Sequence, residues 1–312
     1  MIPYPAYDLL EMDRYNDAAI TSEKAIGIMT GRGCPYNCVF CASPQLYGRR
    51  VRYHSLDYVM SHIRQLTENY GIKNLEIVDD TFTLSKKRVF DFCDKIEQNG
   101  FELNMSCLTH VRNSDYELFV RMKEVGFSLV SFGIESGNDR ILRMNNKGST
   151  CDDARKAIGL AKKAGLDTVC LFMVGNICEN ESTILDSINF AGEINPPNSN
   201  SEKYVAYNWF QFATPFPGSQ FYEIAGQYGR VLARDWSEYV PHERPTFVPK
   251  ELDSDTMIKL RHLAELECGR FGFEPGSIKG LLVARILDHL MNIMGHRQRI
   301  LLRAFLRRIL RD

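Results

Sequence analysis

Between residues 25 and 229 the chain alternates, six times over, a short apolar or β-rich run with a longer stretch of helical periodicity. The runs are AIGIMTG (25–31), KNLEIVD (73–79), ELNMSCLT (102–109), SLVSFGI (128–134), LDTVCLFMVG (166–175) and AYNWFQF (206–212). Helical stretches lie near 56–70, 86–100, 114–125, 151–164, 182–194 and 217–229, several of them stopped by glycine, as at Gly71, Gly100 and Gly126. Strands that alternate with helices pair in parallel, because each return to the sheet in the same direction needs a crossover. No G-x-G-x-x-G follows the first run, which argues against a dinucleotide-binding sheet. The expectation is an α/β fold, a partial (β/α)6 TIM-type barrel over 25–230. An irregular lead-in (1–24) precedes it, and a connection with C-terminal helices (231–312) follows. Asp253 or Ser254 should cap the first of those helices, and two more should occupy about 277–294 and 297–311.

The polar residues fall where such a barrel would use them. Asp79-Asp80-Thr81 follows the second strand, His110-Val111-Arg112 the third and Glu135-Ser136-Gly137 the fourth. Gly175-Asn176 follows the fifth, with Glu179 and Glu181 close behind, and Thr214-Pro215 and Pro217-Gly218 follow the sixth. In barrels of parallel strands the active site is built at the C-terminal strand ends. His110 and Arg112 read equally as ligand contacts or as a loop salt bridge. Lys147 in NNKGST reads as a contact on the approach to a helix, and Trp209, Phe210 and Phe212 read as core, with one face free to line a pocket.

The loop after the first strand, GCPYNCVFCA (33–42), carries Cys34, Cys38 and Cys41 at C-x3-C-x2-C spacing. Thiolates so spaced can converge on one metal centre. Zinc wants a fourth ligand, and the nearest histidine, His54, fits no common finger spacing. A closed 4Fe–4S site wants a fourth cysteine, and the next, Cys93, falls within a helical stretch. A catalytic thiol does not need three cysteines. An open cluster explains the count, with three irons held and the fourth left for an exchangeable ligand. Cys93, Cys107, Cys151, Cys170 and Cys268 stand singly and read as free thiols, as does Cys178 near the fifth strand end.

Composition sets the remaining bounds. With 44% apolar and 25% charged residues the chain can build a large core, and its net charge of −1 does not point to nucleic acid. No apolar run has the 18 or so residues of a membrane span, and the N-terminus lacks the features of a signal peptide. Nine cysteines in that setting point to a reducing cytoplasm. The last stretch, HRQRILLRAFLRRILRD (296–312), holds six Arg and one Asp. Arg299, Arg303 and Arg307 share one face of a helix and Leu302, Phe305, Leu306 and Ile309 another. Such a helix can lie on an anionic membrane, dock on a protein or pack on its own barrel.

The cysteine loop, with Phe40 before its last cysteine, resembles the signature of the radical S-adenosylmethionine (SAM) superfamily. More narrowly, IPYPAYDLL, GRGCPYNCVFCA, VDDTFTLSKKRV, SFGIESGNDRIL, MNNKGST, MVGNICENE and ATPFPGSQFYEIA look like the cobalamin-binding-type branch, the anaerobic magnesium-protoporphyrin cyclase-like proteins. The resemblance implies that Cys34, Cys38 and Cys41 bind a 4Fe–4S cluster, with Phe40 part of the cofactor site. It implies that Asp79 and Asp80 meet the SAM amino group, that Glu135 and Ser136 face its ribose and methionine part, and that the Gly175–Glu179 segment lies along the adenine. Cys178 stands where the family often has glycine. The implied chemistry is reductive cleavage of SAM, fed by a flavodoxin or ferredoxin-type donor, and hydrogen abstraction by a 5′-deoxyadenosyl radical. No D-x-H-x-x-G motif occurs, so the chain as it stands is expected to work without cobalamin. A methyltransferase that borrows cobalamin from a partner, or an iron–sulfur electron carrier or scaffold, are the alternatives.

Overall fold

Alternation along each apolar run sorts its side chains onto two faces, and the sheet uses both. The structure, a computed structural model, describes residues 3–15, 24–196 and 207–268. Six strands form one parallel sheet: β1 (Ala25–Ile28), β2 (Asn74–Ile77), β3 (Asn104–His110), β4 (Phe127–Glu135), β5 (Asp167–Val174) and β6 (Tyr207–Phe212). Their spatial order is their sequence order, and β1 and β6 are the edges. The fold is therefore the expected α/β partial barrel, curved but not closed.

The helices that return the chain are α1 (Leu56–Tyr70), α2 (Lys86–Gln98), α3 (Tyr116–Glu124), α4 (Cys151–Lys163) and α5 (Glu181–Ile194), followed by α6 (Gln220–Tyr228) and α7 (Ser254–Glu267). Their starts obey capping chemistry. Ser55, Ser85, Asp115, Asn180 and Ser219 each accept a backbone N–H of the first turn, and Thr150 forms a capping box with Asp153. Asp253, one of the two candidates, caps α7. Gly71 closes α1 in the left-handed conformation at φ 65°.

One face of every strand packs on the helices. Ile28, Leu75, Ile77, Met105, Val130, Phe132, Cys170, Phe172 and Phe210 are buried there, and the Phe172 and Phe210 rings stack at 4.9 Å. The other face opens on a lumen of about 700 Å³ lined by Gly27, Glu76, Ser106, Leu108, Ser131 and Trp209 among others. The β6 residues thus divide. Phe210 and Phe212 are core, whereas Trp209 is 41% exposed and lines the lumen, because successive strand residues face opposite ways.

Several short elements escaped the periodicity, among them a helix, Ser43–Tyr47, just after the cysteine loop. A two-residue ribbon pairs Gly31–Arg32 with Arg52–Tyr53 and brackets the cysteine loop. A six-residue helix, Asp139–Met144, follows β4. The stretch after 229, expected to be irregular, pairs Gly229–Val231 with Phe247–Pro249 and buries Phe247 and Val248. α7 then covers the open edge at β6, where Arg261 Nε donates to Phe210 O at 2.8 Å. The described residues belong to one compact unit, Met1–Arg270. The expected helices near 277–294 and 297–311, with the basic face, lie outside the described residues. No helix among the described residues is long and apolar enough to cross a membrane.

Candidate functional site

The loop between β1 and α1 brings the three cysteines to the C-terminal mouth of the barrel. All three thiols are free and partly exposed, in contrast to the buried Cys93, Cys107, Cys170 and Cys268. They are close enough to act on one another's charge, and Asp80 and Glu135 lie within the same reach. Cys34 Sγ lies 3.8 Å from Thr81 Oγ1, and Cys41 Sγ accepts Ser43 N–H at 3.4 Å. Burial pushes the Cys38 thiol up to about 11 and raises Cys41 as well, so both hold their protons at neutral pH until a metal displaces them. Among the described residues no three His, Cys, Asp or Glu side chains converge on a single point. A cluster that takes each thiolate on a separate iron suits a donor set gathered at one mouth yet spread around it.

The carboxylates expected at the strand ends separate by role. Asp79 is 4% exposed, and its two oxygens accept the N–H and the hydroxyl of Thr30, both at 2.6 Å. Burial raises its pKa while the Thr30 and Gly31 donors pull it back. Asp80 Oδ2 accepts Gly33 N–H at 3.0 Å, one residue before the first cysteine. Both aspartates also line the lumen. Glu135 takes a positive φ of 72° where the β4–β5 register slips, and this turns its carboxylate onto Lys147 Nζ at 2.9 Å.

Other expected contacts turn inward. Ser136 is fully buried, with its hydroxyl 3.1 Å from Ser187 Oγ of α5 and accepting Asn138 N–H. Gly175 has φ 89°, but what approaches it closely is the Met257 methyl of α7, 2.2 Å from where a Cβ would sit. Glu179 is fully buried and accepts Gly175 N–H at 2.6 Å and Asn176 N–H at 2.9 Å. Phe40 lies half-buried beside a small apolar cluster that includes Val39, Ile177, Phe221 and Phe247.

Sequence reasoning missed a set of contacts centred on Asn145–Gly148. Lys147 sits ahead of α4 as expected, yet its ammonium enters the mouth. His110 is buried and Arg112 exposed, and both reach backbone carbonyls instead of a carboxylate. The His110 Nε2 proton goes to Lys147 O at 3.1 Å, and Arg112 Nη1 donates to Gly148 O at 2.9 Å. Tyr36, inside the cysteine loop, stacks on His110 at 4.0 Å. Arg88 also went unread. It donates to the carbonyls of Thr30 and His54 and lies over the Tyr53 ring at 4.4 Å, pinning the ribbon from which the cysteine loop springs. No local spacing signals these long-range partners.

The model of the radical SAM superfamily matches residues 28–191, more than half of the chain. This chain belongs to the radical SAM superfamily. An uncharacterised methyltransferase of Pyrococcus horikoshii is 34% identical over 304 residues, covering 97% of this chain and 62% of that protein. The anaerobic magnesium-protoporphyrin IX monomethyl ester cyclase of Rubrivivax gelatinosus is 26% identical over 238 residues, 75% of this chain and 40% of the cyclase. The chain thus spans about two fifths to three fifths of the length of these relatives. The cobalamin-dependent SAM radical enzyme OxsB, solved with aqua-cobalamin and SAM, shares the fold at a TM-score of 0.61 and 12% identity, over 91% of this chain and 45% of OxsB. Membership of the superfamily implies a 4Fe–4S cluster and SAM, and the three free thiols at the mouth fit that cluster.

Proposed function

We propose that this chain is a radical SAM enzyme whose substrate occupies the lumen. The observation that carries this reading is the gathering of Cys34, Cys38 and Cys41 with Asp80 and Glu135, where Asp80 also lines a lumen of about 700 Å³, a size suited to a small-molecule ligand. When bound, a 4Fe–4S cluster with SAM supplies one-electron reductive cleavage and a 5′-deoxyadenosyl radical. The protein's part is to bind, orient and shield. Cys34, Cys38 and Cys41 hold the cluster. Asp80, Asp79 and Glu135 offer carboxylates to the ammonium and hydroxyl groups of SAM. Ser136, Gly175, Glu179 and Phe40 act from behind, through the packing and hydrogen bonds that fix the strand ends and the loop. Trp209, Leu108 and Leu171 give the lumen an apolar wall that keeps water from the reacting centre. A flavodoxin or ferredoxin-type protein in a reducing cytoplasm is the electron source, consistent with nine free cysteines.

Anaerobically reconstituted protein given dithionite and SAM should release 5′-deoxyadenosine. Cys34→Ala, Cys38→Ala or Cys41→Ala should each abolish it. A wild-type chain with a full cluster and no SAM cleavage would instead support an electron carrier, a role for which a SAM-sized carboxylate mouth has no use.

A second reading, methyl transfer with cobalamin, is favoured by the relative that matches 97% of this chain and is named a methyltransferase. It predicts that hydroxocobalamin co-elutes with the chain on gel filtration. Free passage of the cofactor counts against it.

A further inference from the structure

The segment Asn145–Gly148 touches the cysteine loop at every turn. Asn145 O accepts Val39 N–H at 2.9 Å, and Asn146 Nδ2 donates to Asn37 O at 2.8 Å. Lys147 Nζ lies 5.8 Å from the centre of the Phe40 ring. From the far side, His110 and Arg112 hold the Lys147 and Gly148 carbonyls, and Tyr36 stacks on His110. Residues 37 to 40 of the loop are therefore met at three points by a segment more than a hundred positions away, and Tyr36 is tied to the same segment through His110. Asn146 has φ 48° and Gly148 φ 71°, conformations that asparagine and glycine accept most readily.

The grip delivers a charge. The Lys147 side chain is 7% exposed and its partner Glu135 13%. Gly133 makes room for them, since a Cβ there would stand 2.6 Å from Glu135 Oε1 and 2.9 Å from Lys147 Nζ. Burial works against the Lys147 charge, but the Glu135 carboxylate and then the Cys38 sulfur favour it, and Lys147 lies within electrostatic reach of Cys34 too. Three thiolates carry negative charge into this half-buried mouth, and a buried cation beside them offsets its cost.

We propose that Asn145–Lys147 is a positioning element that preforms the cluster-binding loop, and that the Lys147 ammonium neutralises the thiolates bound there and eases reduction of their cluster. Asn145 and Asn146 set the backbone; Lys147 sets the local potential; Glu135 tempers Lys147. This rests on the reading that Cys34, Cys38 and Cys41 hold a cluster.

The test measures iron per chain after anaerobic reconstitution, and the cluster's midpoint potential without SAM by dye-mediated titration. Lys147→Met should make the cluster about tenfold harder to reduce, roughly 59 mV more negative for a one-electron step, with Lys147→Arg restoring most of the shift. Glu135→Gln keeps an acceptor for Lys147 but frees its charge, and should move the potential the opposite way. Asn146→Ala should lower iron uptake severalfold while leaving the potential of the loaded fraction in place. Should Lys147→Met leave Glu135 too poorly compensated to fold, the double variant Glu135→Gln/Lys147→Met removes the stranded carboxylate and should be harder to reduce than Glu135→Gln alone. Charge variants that leave the potential unmoved, or move it in one common direction, overturn the role of Lys147. Wild-type uptake by Asn146→Ala overturns the preforming role. A wild-type chain that takes up no iron overturns the cluster reading itself.

Discussion

At the scale of single residues, burial decides what a titratable group does. Burial pushes Glu179 up to about 7, although the N–H groups of Asn176 and Gly175 pull it back. The folded chain therefore holds a proton that the unfolded chain releases near the ordinary 4.5. Its contribution to stability is fully present below that value and is lost as pH rises through about 7. His110 has the opposite sign. Burial, then the Lys147 charge, pushes it from 6.5 down to about 4. Its contribution is present above 6.5 and is lost as pH falls through about 4. Urea unfolding of the cluster-free chain across this range should separate the two. Relative to wild type, Glu179→Gln should gain stability as pH rises from 4.5 to 7, and His110→Gln should gain as pH falls from 6.5 to 4. A variant-to-wild-type difference that is flat with pH would show that the residue does not titrate as its burial dictates. Truncation is a separate matter. Glu179→Ala strands the two N–H groups it accepts, at about 1–3 kcal/mol for each buried donor.

Elements fit one another through their smallest residues. Gly137 lets the turn after β4 press on α5: a Cβ there would meet Phe190 Cβ at 2.6 Å and the Ser187 Cα at 2.7 Å. Gly137 N–H also donates to Ser187 Oγ at 2.9 Å. Backbone cannot yield as a side chain can, so Gly137→Ala should cost about 1–3 kcal/mol by overpacking, read as a fall in the denaturation midpoint. The sequence placed Glu135, Ser136 and Gly137 together at a strand end, which is where they are. It did not say that only Glu135 turns to the mouth. That split follows from the positive φ at Glu135 and the register slip beside it, both set by pairing with β5.

For the whole molecule, the curved sheet creates two environments one residue apart. Phe210 is 0% exposed against the helices, while Trp209 is 41% exposed in the lumen. Phe210→Ala should cost about 3–5 kcal/mol, as for a large core truncation. Trp209→Ala should stay within about 1 kcal/mol of wild type, since much of the side chain stands open to the lumen. Chemical denaturation of the pair checks the sidedness of β6, and equal losses would place Trp209 in the core instead.

The strand and helix periods, the capping residues and the spacing of Cys34, Cys38 and Cys41 determined by themselves the order of the elements, the parallel sheet and the place of the cysteine loop. Each is a local property, written in neighbouring residues through the directions that side chains take along helix and strand. Tertiary structure alone decided that Asp79 serves Thr30, that Gly175 lies under Met257, that His110 and Arg112 grip a backbone, and that Lys147 stands with Glu135 among the thiols. Those outcomes join residues far apart in the chain. No sequence period marks them, because folding brings the partners together only when the barrel curves and its strand ends share one mouth.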